Sequence, residues 1–416
     1  MRLTDDQRAF AEGRHGEAAA AALRIVADTG ALLGAERLIP VSSAHIDGCL
    51  YHGDSGTEFA EFLYRGGGRV RVPATLNVGS LDLLRPETVL LDGHRRQMAL
   101  RLMRAYVALG CRATWTCSPY QAGHRPGAGE QVAWGESNAV AFCNSVLGAR
   151  TNRYGDFLDI ACTITGYAPE YGLHVKANRA AKVLFTTDAV SDRLKGEDAF
   201  WPVIGALFGR RVGDAVGAVD GLGGFAGEDR MKAFGAAAAS FGSVALFHII
   251  GATPEAPTRD AAFQGAAPEE IVAIGPAELR QALDWLSTSA GGAVTAIGIG
   301  SPHLSLAEFE NLLAELRGRT ARLPFYANTG RHVVQRLDEL GYRQQLDAAG
   351  VTIVADTCIV TTPIIADGHG VLMTNSAKFA HYAPGNIGHE VLYGSLSDCV
   401  ETAVAGRVVR DPALWR

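Results

Sequence analysis

The sequence predicts an α/β protein, a multilayer body with parallel sheets and helices on both faces. Three observations carry this. Residues 293–357 read strand, helix, strand, helix, strand, the order that parallel strands joined by helical crossovers require. The N-terminal part alternates helix-like and strand-like segments in the same way. Polar residues gather just past strand-like segments, where open α/β sheets hold their ligands. At 416 residues, 48% hydrophobic and 20% charged, the chain is long enough for several domains with sizeable cores. Composition divides it into an N-terminal α/β region with polar loops (1–176), a Gly/Ala-rich middle (177–290) and a C-terminal parallel α/β region (291–416).

Some function classes are excluded at once. The net charge is −6 and no basic stripe is present, which argues against nucleic acid. No uncharged apolar run reaches the roughly 18 residues of a membrane span. The start, MRLTDDQRAF, is polar and helix-forming rather than secretory. Seven cysteines, odd in number and without paired spacing, fit reduced thiols in the cytoplasm.

In chain order, Thr4 to Gln7 forms a capping box that opens a short helix. An Ala-rich helix follows from about Glu17 to Asp28. RLIPVSS reads as a strand ending at Ser42 and Ser43, with AHIDGCLYHGDSG as the polar loop beyond it. That loop carries His45, Asp47, Cys49, His52 and Asp54, but no second cluster with zinc-like spacing accompanies it. Glu58 to Tyr64 is a short helix. RVRVPATLNVGSLDL is a strand leading to Thr75, Asn77 and Asp82. A helix starts within Glu87–Leu91 and runs through Leu109. CRATWTCSPYQ is read as a strand with Cys117 at its exit, before the Gly/Pro-rich QAGHRPGAGE.

Residues 129–159, GEQVAWGESNAVAFCNSVLGARTNRYGDFLD, are the densest polar stretch. Glu130, Glu136, Asn138, Cys143, Asn152, Arg153 and Asp156 stand among small and apolar residues. They fall on several helical faces, so some must point inward. Buried polar groups need partners, which makes this stretch a satisfied network or a binding site.

The middle region is the least legible. GLGGFA (221–226) matches G-x-G-x-x-A, but GDAVGAVD before it reads as a poor strand and no ribose-binding acid follows. Pro-containing ATPEAPTRD (252–260) reads as a connector. The third region is clearer. AVTAIGIG (293–300) is a buried strand, and Ser305–Glu308 is a capping box opening the next helix. ARLPFYANT is a strand, a helix runs from about Arg331 to Ala349, and VTIVADT is a third strand with Cys358 directly after it. VLMTNSAKFAHYAPG sets Asn375, Ser376, Lys378 and His381 after another strand. A last helix opens at Ser395 or Ser397 with Cys399 in its first turn, where a helix N-terminus favours thiolate.

Cys117, Cys358 and Cys399 each sit at a strand exit or helix start, while Cys49, Cys111, Cys143 and Cys162 lie in apolar or loop contexts. Three thiolates on one sheet edge are able to hold an iron–sulfur cluster whose open iron is a Lewis acid. Seven unrelated thiols is the competing reading.

PATLNVGSLDL, residues 116–159 (TCSPYQAGHRPG through YGDFLD), ADTCIV, TNSAKFAHYAPG and GSLSDCVETAVAGRV together resemble the large subunit of aconitase X, a branch of the aconitase superfamily. The resemblance runs from about Leu3 to the C-terminus. It implies an aconitase-like body and an iron–sulfur hydro-lyase, with a 4Fe–4S, 3Fe–4S or 2Fe–2S cluster on Cys117, Cys358 and Cys399. It also implies a small swivelling domain, fused or separate, that supplies a catalytic serine from a PSGRGS-type motif. The sequence lacks that motif, so a small-subunit partner in a heterodimer is expected. Two small anionic substrates are implied: cis-3-hydroxy-L-proline or mevalonate 5-phosphate. The AHIDGCLYHGDSG loop resembles the hydroxyproline-acting branch. Arg125, Arg153 and Lys378 suffice for one carboxylate but not for a phosphate cradle. The expected reaction is therefore dehydration of cis-3-hydroxy-L-proline to Δ1-pyrroline-2-carboxylate. In that reading Lys378 or Arg153 holds the carboxylate. Ser43, Thr75, Asn77, Ser137, Asn138 and Asn152 add hydrogen bonds. Glu136, His45 or His381 protonates the leaving hydroxide. A cluster-free NAD-dependent oxidoreductase using GLGGFA, or a non-catalytic subunit, is the alternative of another class.

Overall fold

The structure, a computed structural model, describes residues 1–289, 292–365 and 370–415. The chain divides into two compact units. Unit 1 comprises Met1–Leu81 and Leu91–Ala180, and unit 2 comprises Asp82–Leu90 and Ala181–Arg416.

Unit 1 contains five strands: β1 (Leu38–Pro40), β2 (Ala44–Ile46), β3 (Ala74–Leu76), β4 (Ala133–Trp134) and β5 (Tyr167–Pro169). Strands β3, β2 and β4 form a parallel sheet in that order, and β1 pairs antiparallel with β5. The expected polar loop after RLIPVSS is corrected here. Ala44–Ile46 is the central strand, buried along its whole length, and places His45 inside the sheet. The strand is three residues long, too short to show period-2 alternation in the sequence. CRATWTCSPYQ, expected as a strand, makes only one bridge, Arg112 to Thr75, and Trp115 turns the chain at φ +46. That conformation is left-handed and ends any extended run. The long helix begins at Gly93, capped by the Asp92 side chain, and the earlier Pro86–Thr88 is a separate 3₁₀ turn.

The dense polar stretch resolves into two parts. The helix Ser137–Phe142 runs into a π-helical turn, Cys143–Leu147. A π turn leaves carbonyls poorly aligned along the chain, and Arg179, 1% exposed, fills the gap. Its guanidinium donates to Asn144 Oδ1 at 3.0 Å and to the carbonyls of Asn144, Ala149 and Leu173, each at 3.1 Å. This part is a satisfied structural network. Before it, the buried Trp134 Nε1 and Asn138 Oδ1 have no partner in the protein.

Unit 2 holds two parallel sheets. The first uses β6 (Val183–Thr186), β7 (Gly217–Asp220), β8 (Phe247–Ile249) and β9 (Glu270–Ala273), in the order β8-β7-β6-β9. The middle region is thus a regular α/β layer. GDAVGAVD, discounted as a strand, supplies β7. Small residues suit it, because a Cβ on Gly217 would meet the Phe208 ring at 2.6 Å. GLGGFA then forms a short 3₁₀ turn before the helix Glu228–Phe241. That helix carries Glu228 and Asp229 in its first turn, which repels rather than binds a pyrophosphate.

The second sheet uses β10 (Val294–Leu304), β11 (Phe325–Thr329), β12 (Val351–Ala355), β13 (Val371–Thr374) and β14 (Glu390–Tyr393), in the order β12-β11-β10-β13-β14. All its pairings are parallel. The Ser305 capping box is present, with Ser305 accepting from the Glu308 N–H. The crossover expected as one helix over 331–349 is two, Arg331–Glu339 and Tyr342–Ala348, broken at Gly341 with φ +70. Ile297, Phe325, Leu312 and Leu337 are fully buried in its core, each contributing about 1.5–3 kcal/mol on burial. Segment Asp82–Leu90 is tied to this sheet. Asp82 Oδ2 accepts from the Ala355 N–H at 3.1 Å, and the Leu90 N–H donates to the Pro363 carbonyl at 2.8 Å.

Candidate active site

In a parallel sheet, residues in register on neighbouring strands point to the same face. In unit 1, His45 is in register with Thr75 on one side and Trp134 on the other. One row therefore carries His45, Thr75 and Trp134. Two residues further along the chain in each case, just past the strand ends, stand Asp47, Asn77 and Glu136, the last with a left-handed φ of +67.

The first row is closely knit. Thr75 Oγ1 lies 2.9 Å from His45 Nδ1 and 2.8 Å from His124 Nδ1. The Trp134 ring centre is 5.6 Å from that of His45 and 4.9 Å from that of His124. Burial holds His45 down to about 3, with His124 nearby adding to the effect, and burial holds His124 down to about 4. Both imidazoles are neutral at ordinary pH. His124, in the Gly/Pro-rich loop, was missed in the sequence because a lone histidine among glycines carries no periodic signal.

The second row is also bonded internally. Asn77 Nδ2 donates to Asp47 Oδ1 at 2.5 Å, and the Asp47 N–H donates to Asp159 Oδ2 at 2.6 Å. Burial pushes Asp159 up to about 8. Glu136 caps the helix Ser137–Phe142: one oxygen accepts the Ala139 N–H at 2.7 Å and the other accepts the Ser137 hydroxyl at 3.1 Å. A carboxylate in that position is stabilised by the helix N-terminus. Both contacts suit an acceptor better than a proton donor.

Several buried atoms on this face have no partner in the protein: Ser43 Oγ, His45 Nε2, Asn77 Oδ1, His124 Nε2 and Trp134 Nε1. Asn138 Oδ1 shares that condition. Buried polar atoms are nearly always bonded, so such a concentration marks a place built for a ligand. Asn138 Nδ2 donates to the Cys117 carbonyl at 3.0 Å and to Tyr120 Oη at 3.1 Å. The Tyr120 ring stacks on Phe142 at 3.6 Å. One short helix thus positions the Cys117 turn.

The remaining candidates of unit 1 fall elsewhere. Asn152 is committed to the main chain: Nδ2 donates to Tyr171 O at 3.1 Å and Oδ1 accepts from the Leu173 N–H at 2.8 Å. Arg153 and Arg125 are exposed.

In unit 2 the carboxyl ends of the second sheet carry the other group. Strand order reverses between β10 and β13, and crevices form at such switch points. A cavity of about 110 Å³ lies there, lined by Ser301, Pro302, Asn375, Ser376 and Lys232 among others. Lys232, 1% exposed, is engaged by Asp229 at 2.9 Å and by Glu308. Ser376 caps the helix Ala377–Ile387, which brings half-buried Lys378 to this edge. His381 lies a turn further on, exposed, against the Phe241 ring at 4.7 Å.

Cys358 follows β12 on a tightly held turn. Its carbonyl accepts from the Thr361 and Thr362 N–H groups at 3.0 and 2.9 Å. Asn328 Oδ1 accepts from the Ile359 N–H at 2.9 Å, while its Nδ2 donates to the Ile299 carbonyl at 2.7 Å. His303 Nε2 donates to the Thr357 carbonyl at 3.0 Å. Arg331 pairs with Asp356, which sits at φ +62, at 2.6 and 2.8 Å. Asn328, His303 and Arg331 escaped the sequence reading because each serves a residue far off in the chain.

The three expected cluster thiols do not lie along one sheet edge. Cys117 belongs to unit 1 and is 7% exposed, and Cys358 is 5% exposed at the end of β12. Cys399 packs within the apolar core of the second sheet. Burial raises its thiol well above the ordinary range, overriding the helix N-terminus expected to favour thiolate. Among the described residues, no group of three or more His, Cys, Asp or Glu side chains is arranged to hold a metal ion.

Comparison with known proteins agrees with this architecture. The aconitase X first-domain model matches residues 1–177, the second-domain model 181–284 and the third-domain model 294–405. A cis-3-hydroxy-L-proline dehydratase of Pseudomonas aeruginosa is 43% identical, over 100% of this chain and 72% of that protein. A protein of the same name from Hypocrea jecorina is 38% identical, over 98% of this chain and 69% of its own length. The phosphomevalonate dehydratase large subunit of Methanothermobacter thermautotrophicus is 35% identical, over 92% of this chain and 94% of that one. The crystal structure of Thermococcus kodakaraensis aconitase X superposes with a TM-score of 0.85 at 30% identity, covering 97% of this chain and 100% of that one. With domain models matched along nearly its whole length, the chain belongs to the aconitase X family of dehydratases.

Proposed function

We propose that this hydro-lyase dehydrates cis-3-hydroxy-L-proline to Δ1-pyrroline-2-carboxylate, working with a small swivelling domain that supplies a serine base. The observation that carries the reading is the row of unpartnered buried atoms on the β2–β3–β4 face. All five belong to neutral groups, from Ser43, His45, Asn77, His124 and Trp134. Neutral donors and acceptors suit a hydroxylated ring, whereas a phosphate calls for cations or a helix N-terminus. The relatives at 43% and 38% identity, both named as cis-3-hydroxy-L-proline dehydratases, support the same choice.

The family suggests an iron–sulfur cluster, and the donor chemistry fits at Cys117 and Cys358, nearly buried thiols on turns whose backbones are pinned. It does not fit at Cys399, enclosed by apolar side chains. Held by thiols of this kind, the cluster would supply a Lewis acid for the departing hydroxyl. The chain's own groups do the rest. Asn77 and Asn138 offer carbonyl oxygens to the ring N–H. The neutral imidazoles of His45 and His124 donate to or accept from the hydroxyl. Removal of the α-proton and loss of water give an enamine that tautomerises to the cyclic imine.

The test is an assay of the chain together with its small domain on both substrates. Turnover of cis-3-hydroxy-L-proline with formation of Δ1-pyrroline-2-carboxylate is expected, and none of mevalonate 5-phosphate. Preference for the phosphate would sink the assignment.

A further inference from the structure

We propose that Thr75 is a positioning residue that locks His45 and His124 in opposite tautomers, so the two rings act as one neutral donor–acceptor pair. This deepens the reading of the β2–β3–β4 face as the substrate site and rests on it for its catalytic meaning, though not for its chemistry.

Thr75 Oγ1 has one hydrogen to give and lone pairs to receive. Its neighbours within bonding distance are His45 Nδ1 at 2.9 Å and His124 Nδ1 at 2.8 Å. Were both nitrogens protonated, the Thr75 hydrogen would be buried with no acceptor. Were neither protonated, two lone pairs would compete for one hydrogen. Either choice leaves a buried polar group without its partner, which folded proteins avoid. The arrangement that satisfies all three groups has one Nδ1–H donating to Oγ1 and Oγ1–H donating to the other Nδ1. Burial keeps both rings uncharged, which closes the remaining alternative of an imidazolium.

A neutral imidazole protonated at Nδ1 presents a lone pair at Nε2, and one protonated at Nε2 presents a hydrogen. Both Nε2 atoms here are buried and have no protein partner. The pair therefore shows one donor and one acceptor to a ligand. That matches a secondary hydroxyl, which both accepts and donates, and it does not match a carboxylate or phosphate, which only accept. A proton can also pass through the pair without creating charge. The Nε2–H of one ring is given to the departing hydroxide, forming water. The Thr75 hydrogen moves to that ring's Nδ1, and Oγ1 takes the hydrogen of the other Nδ1. The second ring gains a proton at Nε2 from solvent, where the reaction has released the one taken from carbon. Atoms and charge balance, and the two tautomers exchange.

The experiment is ¹⁵N NMR of the intact protein with labelled histidine, assigned through His45→Gln and His124→Gln. At pH 7 one of the two rings is expected to be protonated at Nδ1 and the other at Nε2. Thr75→Ser should preserve the pattern and activity to within a few-fold. Thr75→Val should change at least one tautomer and lower kcat about 100-fold, the scale of one positioned proton donor, with a smaller change in KM. Two rings in the same tautomer in the unaltered protein, or an imidazolium at pH 7, would overturn the proposal. So would a Thr75→Val spectrum identical to the parent. None of these spectra requires substrate. A failure of the hydroxyproline assignment would therefore leave the tautomer result standing, and the reverse is equally visible.

Discussion

Replacing Asn138 tests whether the Cys117 turn is held from the neighbouring helix. The side chain is fully buried and donates two hydrogen bonds, to the Cys117 carbonyl at 3.0 Å and to Tyr120 Oη at 3.1 Å. Tyr120 keeps a second contact, with Ser118 Oγ at 3.3 Å, so its hydroxyl is not stranded by the change. Each neutral bond is worth about 1 kcal/mol net, and depriving a buried carbonyl of a donor adds about another 1. Asn138→Ala should thus destabilise unit 1 by about 2–3 kcal/mol. That lowers its thermal midpoint by roughly 4–12 °C for a body of this size. Because the missing bond orders the Cys117 backbone, iron bound per chain should fall more than stability at 25 °C alone would explain. Asn138→Asp is the sharper variant. Its carboxyl can donate to the Cys117 carbonyl only when protonated, so its folded pKa is raised above the unfolded value. The stability it contributes is therefore present at low pH and lost as pH rises through the folded pKa. Calorimetry and iron analysis across pH 5–8 read both effects. An Asn138→Ala protein with an unshifted midpoint and full iron content would refute the reasoning.

Two other expectations follow from the same geometry. His45 and His124 titrate near 3 and 4 in the folded protein, below the ordinary 6.5. The unfolded chain then takes up protons first, so their contribution to stability is complete above about pH 6.5 and is lost as pH falls towards 4. The difference in urea midpoint between parent and His124→Gln isolates this term and should narrow across that window; a constant difference would contradict it. Cys358→Ser and Cys117→Ser should remove visible absorbance and activity, whereas Cys399→Ser should keep both and cost only packing stability. A colourless Cys399→Ser protein, still folded, would return Cys399 to the ligand set.

The sequence by itself determined the parallel character of the last region, because strand-like and helix-like segments alternate there, with the Ser305 capping box opening one crossover. It also determined the family, through long motifs around Cys117, Cys358 and Lys378. Tertiary structure decided the rest. Strand β2 is three residues long, and only its pairing with β3 and β4 shows that His45 is a sheet residue facing Thr75. GDAVGAVD looks too small for a strand until Phe208 is seen pressing on Gly217. Asn138 and Asn152 share a sequence context, yet one serves the Cys117 turn and the other the 171–173 backbone. Cys399 has the helix position of a reactive thiol and the surroundings of a core residue. The physical reason is common to all four. A residue's local pattern fixes its secondary structure, while its partner, its burial and so its protonation depend on groups elsewhere in the chain, nine residues away for Gly217 and Phe208 and thirty for His45 and Thr75.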